Sequence, residues 1–314
     1  MLFPVSGVEV NPLLPMLVAL FVSTFTSMGG VSGAFLLLPF QLSVLNFTAV
    51  NLSPTNLVYN IVAIPSGVYR YIREGRMNWP VTYVTILGTL PGLYFGAILR
   101  EGVLRYQANF KFFVGLVLIY IGGRLLYDQT AWAKRKKAKI QEFEAQVQVR
   151  LKQVLVEAGY TTGKGLPAAA RVRTKSWSLT RISYEFLGET FTFNVPGLFI
   201  LALIVGLIGG AYGIGGGAII APFLAAIFGL PVFTIAGAAL FGTLVTSVAG
   251  VGIYCLRGFP PDWALGALFG LGGFLGMYLG ARLQRHFSGR IIRIGLGIII
   301  TGLALQYLVG YFLR

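Results

Sequence analysis

Leu87-Gly88-Thr89-Leu90-Pro91-Gly92-Leu93-Tyr94-Phe95-Gly96-Ala97 returns 184 residues later as Leu271-Gly272-Gly273-Phe274-Leu275-Gly276-Met277-Tyr278-Leu279-Gly280-Ala281. The leading Leu, three Gly, the Tyr and the Ala keep register. Upstream, Gly33 to Pro39-Phe40 matches Gly216 to Pro222-Phe223 at an offset of 183, and Gly75 with Trp79 matches Gly258 with Trp263. Self-similarity of this extent marks a chain built from two related halves.

Each half reads as five helical segments. The first ends at a Gly-rich break (28–33 and 209–217), and the second runs to Leu45 or Leu230. A third follows (about Pro54–Tyr71; Val232–Leu256), then a Gly-rich fourth (about Pro80–Leu99; Trp263–Leu283) and a fifth (about Lys111–Tyr127; Ile291–Phe312). The first two segments of the first half are short for a span, and read either as tilted spans or as a re-entrant hairpin. An odd number of crossings per half inverts one half relative to the other. The expected fold is therefore all-α integral membrane, as two inverted repeats with Gly-broken helices at the centre. Its parts are an N-terminal repeat (1–127), a basic insert (128–194) and a C-terminal repeat (195–314).

Composition agrees. Of 314 residues, 56% are hydrophobic and 11% charged, where soluble domains carry about 25% charged. The mean hydropathy is +0.76. Net charge is +15, which in a soluble protein suggests nucleic acid. Here the basic residues crowd the insert and the span edges, as the positive-inside rule expects of cytoplasmic loops. That rule places the insert, the Arg70–Arg76 loop and the Arg282–Arg290 loop in the cytoplasm, leaving Arg100 and Arg105 on the wrong side. A multi-pass protein of the cell membrane follows, with no nucleic-acid partner. Residues 1–11 hold no Lys or Arg and no cleavage pattern, so no signal peptide is expected.

Cys255 is the only cysteine and His286 the only histidine, so no disulfide, metal site or cofactor is expected. His286 reads as a solvated or lipid-facing loop residue. No nucleophile–base pair or carboxylate pair at membrane depth supports an enzyme. All ten acidic residues lie in termini, loops or the insert, so the usual proton relay and carboxylate-lined cation sites are unsupported.

The candidate binding residues lie at the breaks: Gly29, Gly30, Ser32 and Gly33 in the first half, Gly213, Gly215, Gly216 and Gly217 in the second. Glycine permits the backbone conformations a break needs. A helix N-terminus facing a cavity suits an anion, and paired breaks in two repeats point to a transport site. Asn56 and Asn60 share one helix face, and Thr243 and Ser247 repeat that spacing 187 residues on. They read as a ligand cradle or as interhelical hydrogen bonds. Ser53-Pro54 reads as a helix N-cap. Gly88, Gly92, Gly96, Gly272, Gly276 and Gly280 read as packing ridges of small residues.

In the insert, Ile140, Phe143, Val147, Leu151 and Leu155 recur at helical spacing. That segment is either a membrane-surface helix or a soluble helix packed on the membrane part, unless the insert is only a charged tether. Tyr184–Phe193 alternates like a hairpin turning at Gly188-Glu189.

The two breaks with Pro39 and Pro222, the segment Arg73-Glu74-Gly75-Arg76-Met77-Asn78-Trp79 and the Gly-rich runs ending Gly96-Ala97 and Gly280-Ala281 together resemble the TauE/SafE family of membrane permeases. The resemblance covers both hydrophobic halves and not the insert. It implies transport, as export or uptake, of sulfite, organosulfonates such as sulfoacetate, or another small organic anion. The partners expected are a small anionic solute and the lipid bilayer, with self-association into a homo-oligomer left open. The alternatives are an anion channel, or a non-transporting membrane assembly protein with the insert as its partner surface.

Overall fold

The computed structural model describes residues 1–313 apart from 30, 31, 76, 158, 160–165, 168, 169 and 284–288. Gly30 and Val31 of the first break, and Arg76, Arg285 and His286 of the loops, therefore lie outside the described residues.

After a two-stranded ribbon, β1 (Leu2–Phe3) and β2 (Val8–Glu9), the first half folds as α1 (Leu13–Gly29), α2 (Ala34–Ser43), α3 (Leu52–Ala63), α4 (Pro65–Arg73), α5 (Trp79–Glu101) and α6 (Gln107–Tyr127). The insert holds α7 (Ala131–Glu157), β3 (Arg173–Trp177), β4 (Arg181–Phe186) and β5 (Glu189–Asn194). The second half follows as α8 (Val195–Tyr212), α9 (Gly217–Phe228), α10 (Val232–Leu256), α11 (Trp263–Leu283) and α12 (Gly289–Phe312).

The helices α5, α6, α8, α10, α11 and α12 are each long and apolar enough to cross a bilayer. Large apolar side chains stand exposed along them, Leu87, Ile204 and Ile298 among them, as lipid-facing side chains do. This is a mostly helical, multi-pass integral membrane protein. The helices after the breaks are different. At 1.5 Å per residue α2 is about 15 Å long and α9 about 18 Å, well short of the roughly 30 Å hydrocarbon core.

Two expectations need correction. The third segment of the first half is not continuous: it divides at Ile64, and Pro65 opens α4. A proline has no N–H for the helix and its ring crowds the preceding turn. Nor is Ser53 an N-cap. Asn51 holds that position, and Ser53 lies inside α3 with its hydroxyl donating to Ala211 O at 2.9 Å.

Glycine sets how the halves meet. α5 packs along α8, α1 along α11 and α6 along α12. Gly88 faces Phe199 and Ala202, while Gly96 faces Leu207 and Gly210, so α5 and α8 run parallel. A Cβ on Gly92 would fall on the backbone carbonyl of Leu203. Gly272, Gly276 and Gly280 meet Met16, Leu20 and Thr24 in the same way, and α1 and α11 are parallel. Lipid chains are as apolar as leucine, so close backbone contact supplies the association that a hydrophobic effect supplies in water. Gly115 lies by Leu308 whereas Gly122 lies by Thr301. The last helices of the two halves, α6 and α12, therefore run antiparallel.

The insert is a folded unit rather than a tether. The apolar stripe of α7 buries Val147 and Leu151, and Phe143 meets Phe191 of β5 edge-on. Strands β3, β4 and β5 form one antiparallel sheet. The hairpin turns one residue earlier than expected, through Leu187 (φ 52°) and Gly188 (φ 78°), the left-handed pair that matches strand twist, with Glu189 already paired to Phe186. The sheet then docks on the membrane part. Phe186 stacks on Phe233, the Tyr184 and Thr234 hydroxyls lie 2.8 Å apart, and Leu166 N donates to Glu74 O.

Arg100, a misplaced loop charge on the sequence pattern, is fully buried. Its guanidinium donates to Ser53 Oγ, Leu104 O and Ala49 O and lies 3.8 Å over the Phe110 ring. It clasps the turn between α2 and α3 and adds nothing to the exposed loop charge.

Candidate functional site: a cavity between two broken helices

The two breaks are built differently. In the first, α1 ends at Gly29 and Ser32 Oγ accepts from Ala34 N at 3.3 Å as α2 begins. In the second, Gly213 (φ +85°) and Gly215 (φ +73°) both take the left-handed conformation, which side chains disfavour by about 1–2 kcal/mol. Gly213 N and Ile214 N both turn back onto Gly209 O, and Gly216 N donates to Thr246 Oγ1 at 3.2 Å. The Ser32 hydroxyl thus serves the start of α2, whereas α9 carries no side-chain cap at Gly216.

Breaking a helix strands backbone carbonyls, and in a membrane protein each must find a donor inside the fold. Side chains of α3, α8 and α10 supply them. Asn56 Nδ2 donates to Ala34 O (3.1 Å) and Gly213 O (2.9 Å), tying the two breaks together. Asn60 Nδ2 donates to Ile214 O at 2.9 Å and Ser247 Oγ at 3.2 Å. Tyr254 OH reaches Gly210 O and Tyr212 OH reaches Phe35 O. Asn60 and Ser247 are the matching positions of the two halves, so equivalent residues meet where α3 crosses α10.

Beside this crossing lies a cavity of about 260 Å³. Ser32, Gly33, Asn60, Gly217 and Thr243 line it, drawn from both breaks and both crossing helices. Asn56, Ser247, Gly213, Gly215 and Gly216 do not line it, and neither does Gly29, which ends α1. The glycines are sterically required. A Cβ on Gly33 would lie 2.5 Å from the Tyr59 hydroxyl and 2.7 Å from Ser23 Oγ. One on Gly217 would collide with Ala239 O.

Tyr59, Thr26 and Ser27 also line the cavity, and sequence reasoning missed them. The hydroxyl run Ser23-Thr24 and Thr26-Ser27 just before Gly29 was the available signal. Ile64, Ala236, Ala239 and Leu240 complete the wall toward the insert. That side is fixed by α10, which starts beneath the insert at Phe233. The cavity thus extends from the Asn60–Thr243 level toward the insert.

Among the described residues no charged side chain lines this cavity. Thr26, Ser27 and Thr243 donate their protons to backbone carbonyls of their own helices. The Tyr59 and Ser23 hydroxyls share one hydrogen bond of 2.9 Å, which leaves one proton of that pair uncommitted. Donors toward the cavity are thus the Ser32 hydroxyl, the Tyr59–Ser23 pair and the first-turn N–H groups of α9. Buried Asn60 Oδ1 has no hydrogen-bond partner, an acceptor that a donor entering the cavity would satisfy. The potential here comes from helix termini and neutral dipoles.

A family model described as sulfite exporter TauE/SafE matches residues 15–307. No curated protein and no solved structure matches the chain. The matched stretch runs from the first turn of α1 almost to the end of α12, taking in both breaks and the cavity between them. The family is one of membrane transporters. The chain is a membrane transporter rather than an enzyme, and belongs to the sulfite exporter TauE/SafE family.

Proposed function

We propose that the protein carries sulfite or a small organosulfonate across the cell membrane, binding it in the cavity between the two broken helices. The observation that carries this reading is the convergence of both breaks, with the uncapped start of α9 among them, on one cavity that no carboxylate lines among the described residues. An uncapped helix start presents positive potential and free N–H groups to an anion. At about 260 Å³ the cavity falls just below the roughly 300 Å³ at which ligand pockets for drug-sized molecules begin, a fit for a solute of a few heavy atoms. The donor that Asn60 Oδ1 lacks comes with a protonated oxyanion or with a water carried alongside. A neutral site binds loosely enough to release what it binds, as permeation requires.

The 1–127 and 195–314 parts are inverted repeats, a reading supported by the antiparallel run of α6 against α12. On it α2 and α9 re-enter the membrane from opposite sides. The 128–194 insert is cytoplasmic by its basic charge, so the cavity loads from the cytoplasm. Export follows, because an anion leaving a negative interior gains about 2.3 kcal/mol per charge per 100 mV.

The test is flux of radiolabelled sulfite and sulfoacetate from vesicles containing the purified protein. A side chain filling the cavity, Thr243→Leu, is expected to abolish flux while leaving the protein folded. Equal flux in the variant and the parent would place the route elsewhere.

A further inference from the structure

Two more cavities lie at opposite ends of the α6–α12 pair. One, of about 400 Å³, is lined by Arg124 near the end of α6 and Arg293 near the start of α12. The other, of about 350 Å³, is lined by Lys111 near the start of α6 and Tyr307 near the end of α12. They correspond through the internal repeat: Arg124 and Tyr307 stand 183 residues apart, Lys111 and Arg293 182 apart. Contacts correspond as well. Arg124 Nη2 donates to Pro222 O at 3.2 Å and Tyr307 OH to Pro39 O at 3.3 Å, and these prolines are again 183 apart.

This pairing acts as an internal control. At the matching position a phenol makes the equivalent bond to the matching proline, so holding α9 against α6 does not require a cation. Arg124 spends one further donor on Tyr120 OH and lies 5.2 Å over the Phe223 ring. A guanidinium has five N–H donors, so most of its fork is left for the cavity. Among the described residues neither Arg124 nor Arg293 forms a salt bridge. Asp128 shares the cavity, so among the described residues its charged lining is two cations and one anion. Ala221 lines both this cavity and the central one.

We propose that the Arg124–Arg293 cavity is a second anion-binding site, a vestibule on the insert side that holds a small oxyanion next to the central cavity. The planar fork of Arg124 takes two oxygens of a sulfonate or sulfite, as guanidinium does with carboxylate and phosphate. Calling it a loading site rests on the transport reading above; binding there does not.

The test is arginine labelling by phenylglyoxal in micelles, read residue by residue by mass spectrometry, with methanesulfonate titrated against gluconate at constant ionic strength. Labelling of Arg124 should slow at least threefold and saturably. Exposed Arg105 should be unaffected. The protection should persist in Thr243→Leu, and in Leu240→Phe should the first fail to fold, because both block only the central cavity. In Arg124→Tyr, which copies the other half's solution and should fold, protection of Arg293 should disappear. No saturable protection of Arg124, or protection lost when the central cavity is filled, would overturn the proposal. Protection without any solute flux would refute the transport reading and leave the site standing.

Discussion

Replacing Asn56 by leucine separates holding the breaks from touching the solute. Asn56 is fully buried, and its amide makes three hydrogen bonds: to Ala34 O, to Gly213 O and from Gln41 Nε2 at 3.1 Å. Leucine keeps the volume and strands all three partners. Hydrogen bonds between membrane helices average about 0.6 kcal/mol and reach about 1.7. Stranded groups with no water nearby push toward the upper end, so the variant should lose about 2–5 kcal/mol of folding stability. Equilibrium unfolding with SDS in mixed micelles measures this. Asn56 does not line the cavity, so half-saturation for solute, measured on the folded fraction in vesicles, should move less than about twofold, or about 0.4 kcal/mol. An unchanged stability with a tenfold weaker half-saturation would refute the reasoning, since Asn56 would then be a solute ligand and not a tie.

Three further outcomes follow from the same geometry. Gly213→Ala combines a left-handed φ of +85° with the Ser53 carbonyl lying where the methyl would go, and should cost about 2–5 kcal/mol in the same unfolding assay. Arg100→Lys keeps the charge but cannot serve Ser53, Leu104 and Ala49 at once, so thermal unfolding in micelles should show a loss of about 1–3 kcal/mol. Phe186→Ala removes the ring stacked on Phe233 at a cost of about 3–5 kcal/mol to the insert. Limited proteolysis should then cut the 166–194 region while the membrane helices keep their unfolding midpoint.

Reading glycine spacing found the architecture because membrane packing is written in small residues: the Gly88–Gly96 and Gly272–Gly280 ridges sit on backbone where any larger side chain collides. The second break was legible for the related reason that Gly213 and Gly215 need positive φ. Pro65 carried the division of the third helix in plain view. Proline alone did not decide it, because Pro39, Pro91 and Pro222 lie inside helices of this chain. Strand β3 was not legible. Arg173–Trp177 is exposed throughout and has no apolar alternation to read, and only pairing with β4 makes it a strand. Arg100 and Ser53 lie 47 residues apart and meet only in the fold, and no local pattern announces a charge that turns inward to clasp a loop. Of the residues expected at the site, Ser32, Gly33 and Gly217 line the cavity and were read from the breaks, and Asn60 and Thr243 line it and were read from their repeated helix-face spacing. Tyr59 was missed because one aromatic on an apolar helix carries no signal until Gly33 is seen beneath its hydroxyl.

The most direct test asks whether solute occupies the space between the breaks. In a Cys255→Ser background, which removes the exposed native thiol, a single Thr243→Cys substitution places a thiol in the cavity wall. Its labelling by a small methanethiosulfonate reagent is followed with and without sulfoacetate, using gluconate as the control. Saturable protection by sulfoacetate alone, with its midpoint at the half-saturation for flux, is the expected result. Labelling at the same rate with every anion, in protein that still transports sulfoacetate, would show that the solute passes by another route.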